Sequence, residues 1–239
     1  MGLQRTLYTA RLEFMRQHTE FIREFTFSLL SPGEFKFRAG QFLMLQLPQT
    51  EGNKPLTRAY SLASSEQIHN SFRLMIKYIP TGVASEYFWH LKEGDQIQFT
   101  GPFGKLFFPT TPATKLFFLS TGSGIAPHLS YVESILSLYP LHQFHFLIGV
   151  RTQNDFFLQE ELDNLRTHHQ NFRYEFVLSR PDPSWNGRCG YLQHQLDSLD
   201  FMINESHFFI CGYEHMARAT KHILFDKGLP PDRISVEIY

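Results

Sequence analysis

The chain has 239 residues, which is enough for one large domain or for two modest domains with separate hydrophobic cores. Its formal net charge of -1 at pH 7 favours neither nucleic acid nor an anionic membrane surface as a partner. The two cysteines, Cys189 and Cys211, are too few to hold an iron–sulfur cluster, which usually takes four thiolates. The sequence begins without a signal-peptide pattern and contains no long apolar run, so we expect a cytoplasmic monomer that binds neither membranes nor nucleic acid.

Short segments rich in aromatic and β-branched residues occupy the first half of the chain, and Gly, Pro, Asn and Ser separate them. They predict strands over residues 7–14, 19–29, 41–47, 59–63, 72–78 and 96–100, with a turn at 101–104. A short helix is predicted over residues 84–91, just after Gly82. Several short strands with one helix indicate a small antiparallel β-barrel.

The second half of the chain alternates strands with helices. Strands are predicted over residues 115–120, 144–150, 172–178, 207–211 and 234–238, and helices or helix-like segments over 125–138, 157–168, 190–199 and 215–225. This alternation indicates a Rossmann-like α/β domain with a parallel sheet covered on both faces. A stretch rich in Pro and Thr at 109–114 predicts a boundary between a first domain, 1–110, and a second domain, 111–239.

One candidate binding segment follows the first strand of the second half. Thr121, Gly122 and Gly124 precede a predicted helix, and Pro127 lies near the start of that helix. Glycines let a backbone approach a ligand closely, and a helix N-terminus offers free N–H groups to an anion. By itself the pattern fits a tight strand-to-helix turn without a ligand equally well.

Two further segments lie in the predicted barrel. Arg58 offers a guanidinium group suited to a pyrophosphate, Tyr60 lies on the same face of a strand and can pack against a flat ring, and Ser61 adds a hydroxyl. Gly82 and Ser85 stand at a helix start, which is a second potential anion site. The plain alternatives are a half-buried strand with polar ends and an ordinary helix cap.

Taken in order, an Arg-x-Tyr-Ser segment, a Gly-x-x-Ser segment, a Thr-Gly-x-Gly-x-x-Pro segment and a Cys-Gly pair resemble the ferredoxin–NADP(+) reductase family. The resemblance runs from about residue 37 to the last residue. It implies an FAD-binding barrel, an NAD(P)-binding α/β domain and no iron–sulfur domain. It also implies that hydride passes from NADPH, or NADH, to FAD, and that electrons then pass to a separate ferredoxin or flavodoxin.

The resemblance also assigns residues to roles. Arg58 and Ser85 would bind the FAD pyrophosphate, and Tyr60 would stack on the isoalloxazine ring. The implied FAD-binding set is Arg58, Ala59, Tyr60, Ser61, Met75, Lys77, Tyr78, Gly82, Val83, Ala84, Ser85 and Tyr239. The implied nucleotide-binding set is Thr121, Gly122, Gly124, Pro127, Arg151, Ser179, Arg180, Arg188, Tyr191, Cys211 and Gly212. The implied reacting centre holds Ser61 and Glu237 near the flavin N5, Cys211 near the nicotinamide, and Tyr239 over the flavin face.

The choice of nucleotide depends on the end of the third strand of the second half, where the adenine ribose is expected. Arg180 stands there after Ser179 and is able to pair with a 2′-phosphate, and neither position is acidic as an NAD ribose would prefer. Arg151, Arg188 and Tyr191 are further candidates. NADPH is therefore favoured and NADH remains possible, with a solvated surface charge as the alternative for each arginine.

The twelve histidines make no convincing metal site, and we expect them to be exposed to solvent. The competing functions are an NAD(P)H–flavin reductase, the reductase component of an oxygenase, and a non-catalytic redox-sensing or electron-transfer flavoprotein. The segment at 82–85 and the terminal Tyr239 argue for retained FAD and against free flavin as the substrate.

Overall fold

The computed structural model describes residues 6–48 and 56–238, and the chain divides into two compact units. One unit consists of Met1–Phe107 with Leu129–Ser134, and the other of Phe108–His128 with Ile135–Tyr239. The short segment Leu129–Ser134 belongs with the first unit because its side chains bond there. The Glu133 carboxylate, for example, pairs with Arg73 and accepts a hydrogen bond of 3.0 Å from the Ser65 amide.

The first unit contains a six-stranded antiparallel sheet, as predicted for a barrel, in the order β4-β3-β6-β1-β2-β5. Its outer strands meet, because Leu62 and Leu74 form an antiparallel bridge and the Ala63 amide donates to the Arg73 carbonyl at 2.9 Å. The elements are β1 Leu7–Thr19, β2 Ile22–Ser31, β3 Phe42–Gln46, β4 Thr57–Ser61, β5 Ser71–Lys77, helix α1 Val83–His90 and β6 Gln96–Phe103.

Aromatic side chains fill the interior of this barrel. Alternate residues of the strands point inward, and Phe25, Phe27, Phe72 and Phe99 are at most 1% exposed. Helix α1 adds Phe88, which is fully buried and lies 5.1 Å from Phe25 between ring centroids. Burial of large rings is the main stabilising contribution in such a core. The burial of Phe88 therefore holds α1 against the barrel.

Two local predictions in the first unit were wrong. The predicted turn at 101–104 is still strand as far as Phe103, since Phe103 pairs with Phe42 of β3. The first strand extends to Thr19, and the turn lies at Glu20 and Phe21. The Thr19 hydroxyl accepts hydrogen bonds from the amides of Phe21 and Ile22, so this turn needs no Gly or Asn to mark it.

The second unit contains a six-stranded sheet, in the order β10-β9-β8-β7-β11-β12, with every neighbouring pair parallel. This confirms the predicted Rossmann-like α/β class. After β7 the chain adds β8, β9 and β10 in turn on one side of that strand, and it then crosses over to add β11 and β12 on the other side. The topological switch point therefore lies between β7 and β11. The elements are β7 Lys115–Thr121, β8 Gln143–Val150, α3 Gln159–His168, β9 Phe172–Leu178, β10 Arg188–Cys189, β11 Ser206–Gly212, α4 Glu214–Asp226, β12 Ile234–Ile238 and helix α2 Ala126–Ile135, of which Leu129–Ser134 belongs with the first unit.

Three of the four helical segments predicted in this unit are shorter than predicted, whereas α4 extends one residue beyond the predicted 215–225 at each end. Helix α2 ends at Ile135 and continues as a 3-10 turn, Leu136–Leu138. The helix-like segment at 190–199 is a 3-10 helix, Leu192–Ser198, and the two-residue strand β10 before it carries no sequence signal. Such short elements are decided by hydrogen bonds to distant residues rather than by local periodicity.

The expectation of exposed histidines was wrong for His128, His145 and His207, and also for the His18 side chain, which is 3% exposed. His128 is fully buried, and His145 and His207 are at most 5% exposed. Each of these three histidines lies within an apolar segment of the sequence, and it is buried together with that segment. Among residues 6–48 and 56–238, no group of three or more His, Cys, Asp or Glu side chains is arranged to hold a metal ion, and no helix there is long and apolar enough to cross a membrane.

Candidate functional site

Strand β4 presents Arg58 and Tyr60 on one face. They pair with Leu45 and Leu43 of β3, which are alternate residues and therefore share that face. Arg58 is exposed, and its guanidinium donates a hydrogen bond of 2.9 Å to the carbonyl of Thr57. Within the described part of the chain, Arg58 forms no ion pair with an acidic side chain. Its charge is therefore available to an anionic ligand.

Tyr60 is partly buried beside the helix that follows. Its ring meets Phe88 of α1 edge to face, with 5.0 Å between ring centroids. Burial raises the pKa of the Tyr60 hydroxyl to about 12, although the nearby Arg58 charge lowers it, so the phenol stays neutral. This contact joins the β4 segment to α1, whose start carries the other predicted FAD-binding segment.

The second predicted anion site is the start of α1. Gly82 precedes the first helical residue, and within the described residues no side chain caps the first turn. The Ser85 hydroxyl accepts a hydrogen bond of 2.9 Å from the Ile79 amide and keeps its own proton for a further bond. The N–H groups of Val83 and Ala84 remain for an anion, as expected of an uncapped helix N-terminus.

The other predicted flavin contacts lie at the end of β5 and on β4. Met75 and Ser61 are buried, and Lys77 is exposed. The Tyr78 hydroxyl donates to the Glu86 carboxylate of α1, and this bond raises the pKa of Tyr78. Tyr239 lies outside the described residues, so its predicted position over the flavin stays a prediction.

In the second unit, the turn after β7 lies against the end of β11. A Cβ atom on Gly124 would lie 2.5 Å from the Cys211 carbonyl oxygen, and one on Gly212 would collide with the Thr121 hydroxyl. Gly212 also has φ +131°, which disfavours any other residue. The Tyr213 amide completes the contact by donating to the Thr121 hydroxyl at 2.9 Å. These residues therefore meet at the topological switch point of the sheet.

Two predicted catalytic residues are neighbours at the same edge of the sheet. Cys211 is paired in register with Glu237 of β12 and with Ser120 of β7. Cys211 is fully buried, and Glu237 is partly buried. Sequence reasoning missed Ser120, whose buried hydroxyl has no hydrogen-bond partner among the described residues. A serine ending an apolar strand, directly before the Thr-Gly segment, was the available signal.

The candidate arginines fall into two groups. Arg151 and Arg180 follow β8 and β9, and the Arg180 amide donates to the Arg151 carbonyl at 2.7 Å. Both side chains are exposed, and neither is ion-paired within the described part of the chain. Arg188 differs, since its Nε atom lies 2.7 Å from the Glu175 carboxylate. Tyr191 is 60% exposed.

Comparison with known families and proteins agrees with this geometry. Residues 10–108 match the oxidoreductase FAD-binding domain, and residues 118–222 match the oxidoreductase NAD-binding domain. The fold and its two sites therefore define a two-domain, FAD- and nicotinamide-nucleotide-binding oxidoreductase. Over 99% of both chains, the sequence is 33% identical to ferredoxin–NADP reductase B of Sorangium cellulosum. The chain belongs to the ferredoxin–NADP reductase family, as its sequence predicted.

Two other proteins show how widely this fold is used. A ferredoxin NADP+ reductase from Neisseria gonorrhoeae, solved with bound FAD and NADP, superposes with a TM-score of 0.85 at 24% identity and covers 98% of this chain and 99% of its own. One component of the Na(+)-translocating NADH-quinone reductase of Yersinia enterocolitica is 29% identical over 77% of this chain. The match spans about half the length of that component, 49%.

Proposed function

We propose that the protein oxidises NADPH in preference to NADH and delivers the electrons, through bound FAD, to a separate ferredoxin- or flavodoxin-type carrier. The single observation that carries the preference is the pair of exposed arginines, Arg151 and Arg180, at the carboxyl ends of adjacent strands. Two guanidinium groups without acidic partners in the described part of the chain suit a phosphate group. The carrier is supported by the similarity of this chain to the ferredoxin–NADP reductase B of Sorangium cellulosum.

The barrel supplies the FAD contacts in this proposal. Arg58 and the open first turn of α1 neutralise the pyrophosphate, and the Ser85 hydroxyl donates to one of its oxygens. Tyr60 offers a ring face to the isoalloxazine, and the contact with Phe88 limits the movement of the Tyr60 ring. Bound FAD supplies the hydride-accepting and electron-donating chemistry, while the protein aligns the reacting groups.

The parallel sheet supplies the nucleotide contacts. The turn that carries Gly122 and Gly124 opens α2 at the switch point, where Rossmann-like sheets bind dinucleotides. Cys211 and Glu237 lie in register at the same edge and would bound the nicotinamide end of the site. Because neither residue is required as a strong base, their proposed role is to position the nicotinamide and to exclude water from it.

The flavin part of the proposal is tested by purification. We expect FAD to copurify with the wild-type protein, and Arg58→Ala to weaken FAD binding by about tenfold or more, as loss of a hydrogen bond from a charged group does. Lys92→Ala removes an exposed charge elsewhere on the same unit and serves as the control. A folded wild-type protein that binds no added FAD would overturn the assignment.

The nucleotide preference is tested by Arg180→Ala. Loss of a charge-assisted bond to the 2′-phosphate costs about 1.5–3 kcal/mol, so KM for NADPH should rise roughly 10- to 150-fold while KM for NADH changes little. Arg218→Ala, which removes an exposed arginine paired with Glu214, is the matched control. Equal effects on the two nucleotides would remove Arg180 from the phosphate site.

The acceptor is tested by steady-state assays with a small ferredoxin, a flavodoxin, free flavin and an artificial acceptor. Turnover with either carrier at low carrier concentration supports the proposal. Turnover only with free flavin would identify an NAD(P)H–flavin reductase instead. No oxidation of either nucleotide with any acceptor would indicate a non-catalytic flavoprotein.

A further inference from the structure

The family resemblance implies that Arg188 binds the nucleotide, but its contacts in the structure indicate a different role. We propose that Arg188 is a positioning residue: it clamps the segment between Arg180 and Tyr191 to the sheet and does not bind the 2′-phosphate. The inference deepens the proposed function, because it concerns the nucleotide site of the same reductase.

The Arg188 guanidinium is hydrogen-bonded to three side chains of the protein. Its Nε atom donates to the Glu175 carboxylate at 2.7 Å, and one terminal nitrogen donates to the Ser198 hydroxyl at 2.6 Å and to the Gln195 amide oxygen at 3.5 Å. Its side chain is 23% exposed. A phosphate would have to compete with a carboxylate in direct contact, whereas Arg180 has no acidic partner among the described residues.

Glu175 is held in place from its other side. Its second carboxylate oxygen lies 2.7 Å from Nε2 of His145, so three side chains on the neighbouring strands β8, β9 and β10 form one row. Partial burial raises the pKa of Glu175, but the hydrogen bonds and charges of Arg188 and His145 together lower it by more. The pKa of Glu175 therefore lies below its ordinary value. The carboxylate is therefore ionised, and it cancels the charge that Arg188 would offer to an anion.

The clamp fixes the backbone that leads to Tyr191. The side-chain amide of Gln195 donates to the Cys189 carbonyl at 2.9 Å, and the Trp185 indole donates to the Arg188 carbonyl at 3.0 Å. The Gly190 amide then donates to the Leu178 carbonyl at 2.8 Å. The Arg180 amide is held separately, by the Arg151 carbonyl at 2.7 Å, so loosening the clamp should displace Tyr191 and leave Arg180 in place. NADPH and NADH share the adenosine part that Tyr191 would contact, so both should bind more weakly.

A positioning role and a phosphate-binding role differ in their effect on NADH. Arg188→Gln should raise KM for NADPH and for NADH by the same factor, roughly three- to tenfold, and leave kcat at saturating nucleotide within about twofold. Arg188→Lys should recover part of the loss, because an ammonium group still pairs with Glu175. Glu175→Gln should raise KM for both nucleotides by the same factor as Arg188→Gln does. Since a carboxylate does not itself bind a phosphate, this effect would come from the clamp. The double variant should raise KM no more than either single variant.

Direct binding of adenosine 2′,5′-bisphosphate and of 5′-AMP to the FAD-loaded protein gives a readout that does not depend on turnover. Equal weakening of both ligands in the Arg188 and Glu175 variants supports the inference. Weakening confined to the 2′-phosphate ligand, or no weakening of either, overturns it. If Arg188→Gln does not fold, Ser198→Ala removes one contact of the clamp and should produce a smaller but equally unselective loss.

The same assays keep the two proposals apart. Equal effects of Arg180→Ala on the two nucleotides would reject the NADPH preference and leave the clamp intact. A loss selective for NADPH in Arg188→Gln would reject the clamp and strengthen the NADPH preference.

Discussion

Two helices of this protein begin at glycine-marked turns, and the two turns use glycine for different reasons. At Gly82 the first turn of α1 is open, and within the described residues no side chain caps its N–H groups. At Gly124 the space of a side chain is taken by the backbone of Cys211 and Gly212. The N–H groups of the first turn receive no side-chain cap among the described residues, whereas the second turn packs closely against another part of the chain.

The difference shows that a glycine-rich strand-to-helix turn is not evidence of a ligand by itself. In a parallel sheet, the turn at the switch point must pass close to the neighbouring strand before it reaches any nucleotide. The glycine that the motif requires there is explained by that approach alone. Substitutions at the two turns should therefore affect different quantities: stability at Gly124, and FAD binding at the start of α1.

The largest effect is expected for Gly124→Ala. The new methyl group would lie 2.5 Å from a backbone oxygen that cannot rotate away, so we expect the free energy of unfolding to fall by about 3 kcal/mol. Chemical denaturation measures it. Gly33→Ala is the matched control, because no atom lies within 4 Å of a Cβ built there. A loss similar to that of the control would show that the turn is not held by this contact.

The next effect concerns His128, which lies on the helix that begins after Gly124. Both ring nitrogens are buried without a hydrogen-bond partner among the described residues, and the ring packs edge to face against Phe118 at 5.4 Å. Burial lowers the pKa of His128 to about 3 from an ordinary value of 6.5. The unfolded chain therefore binds a proton that the folded chain refuses, and stability is lost as pH falls from about 6.5 toward 3.

This linkage amounts to about 2 kcal/mol at pH 5, since each pH unit below 6.5 contributes roughly 1.4 kcal/mol. His128→Leu should remove that part of the acid sensitivity and leave stability at pH 8 equal or higher. His222→Leu makes the same substitution at an exposed histidine of α4 and is the matched control. An unaltered slope in His128→Leu would show that this side chain is not buried in its neutral form.

The smallest effect is expected at the open turn. Ser85→Ala removes one hydrogen bond to the Ile79 amide, so stability should fall by about 1 kcal/mol while FAD affinity falls by roughly three- to tenfold. Ser123→Ala makes the corresponding change at the second turn and should leave FAD affinity unaltered. Calorimetric titration of the FAD-free proteins measures the affinities, and chemical denaturation measures the stabilities. Equal losses of FAD affinity in the two variants would contradict the distinction between the turns.

Sequence periodicity determined the class of each half of the molecule. Aromatic and β-branched segments separated by turn-forming residues marked the barrel strands, and the strand–helix alternation marked the parallel sheet. The order of the motifs also predicted Arg58, Tyr60 and Gly82 as FAD-binding residues, and that assignment stays a prediction. These features depend on residues that are near one another in the chain.

Tertiary structure decided the features that depend on distant partners. The bridge between Leu62 and Leu74 and the pairing of Arg188 with Glu175 carry no local signature. A histidine or an arginine has the same sequence pattern whether it meets solvent, a ring or a carboxylate. Its charge state and its role are fixed only when the fold sets the dielectric around it and brings a partner within hydrogen-bonding distance.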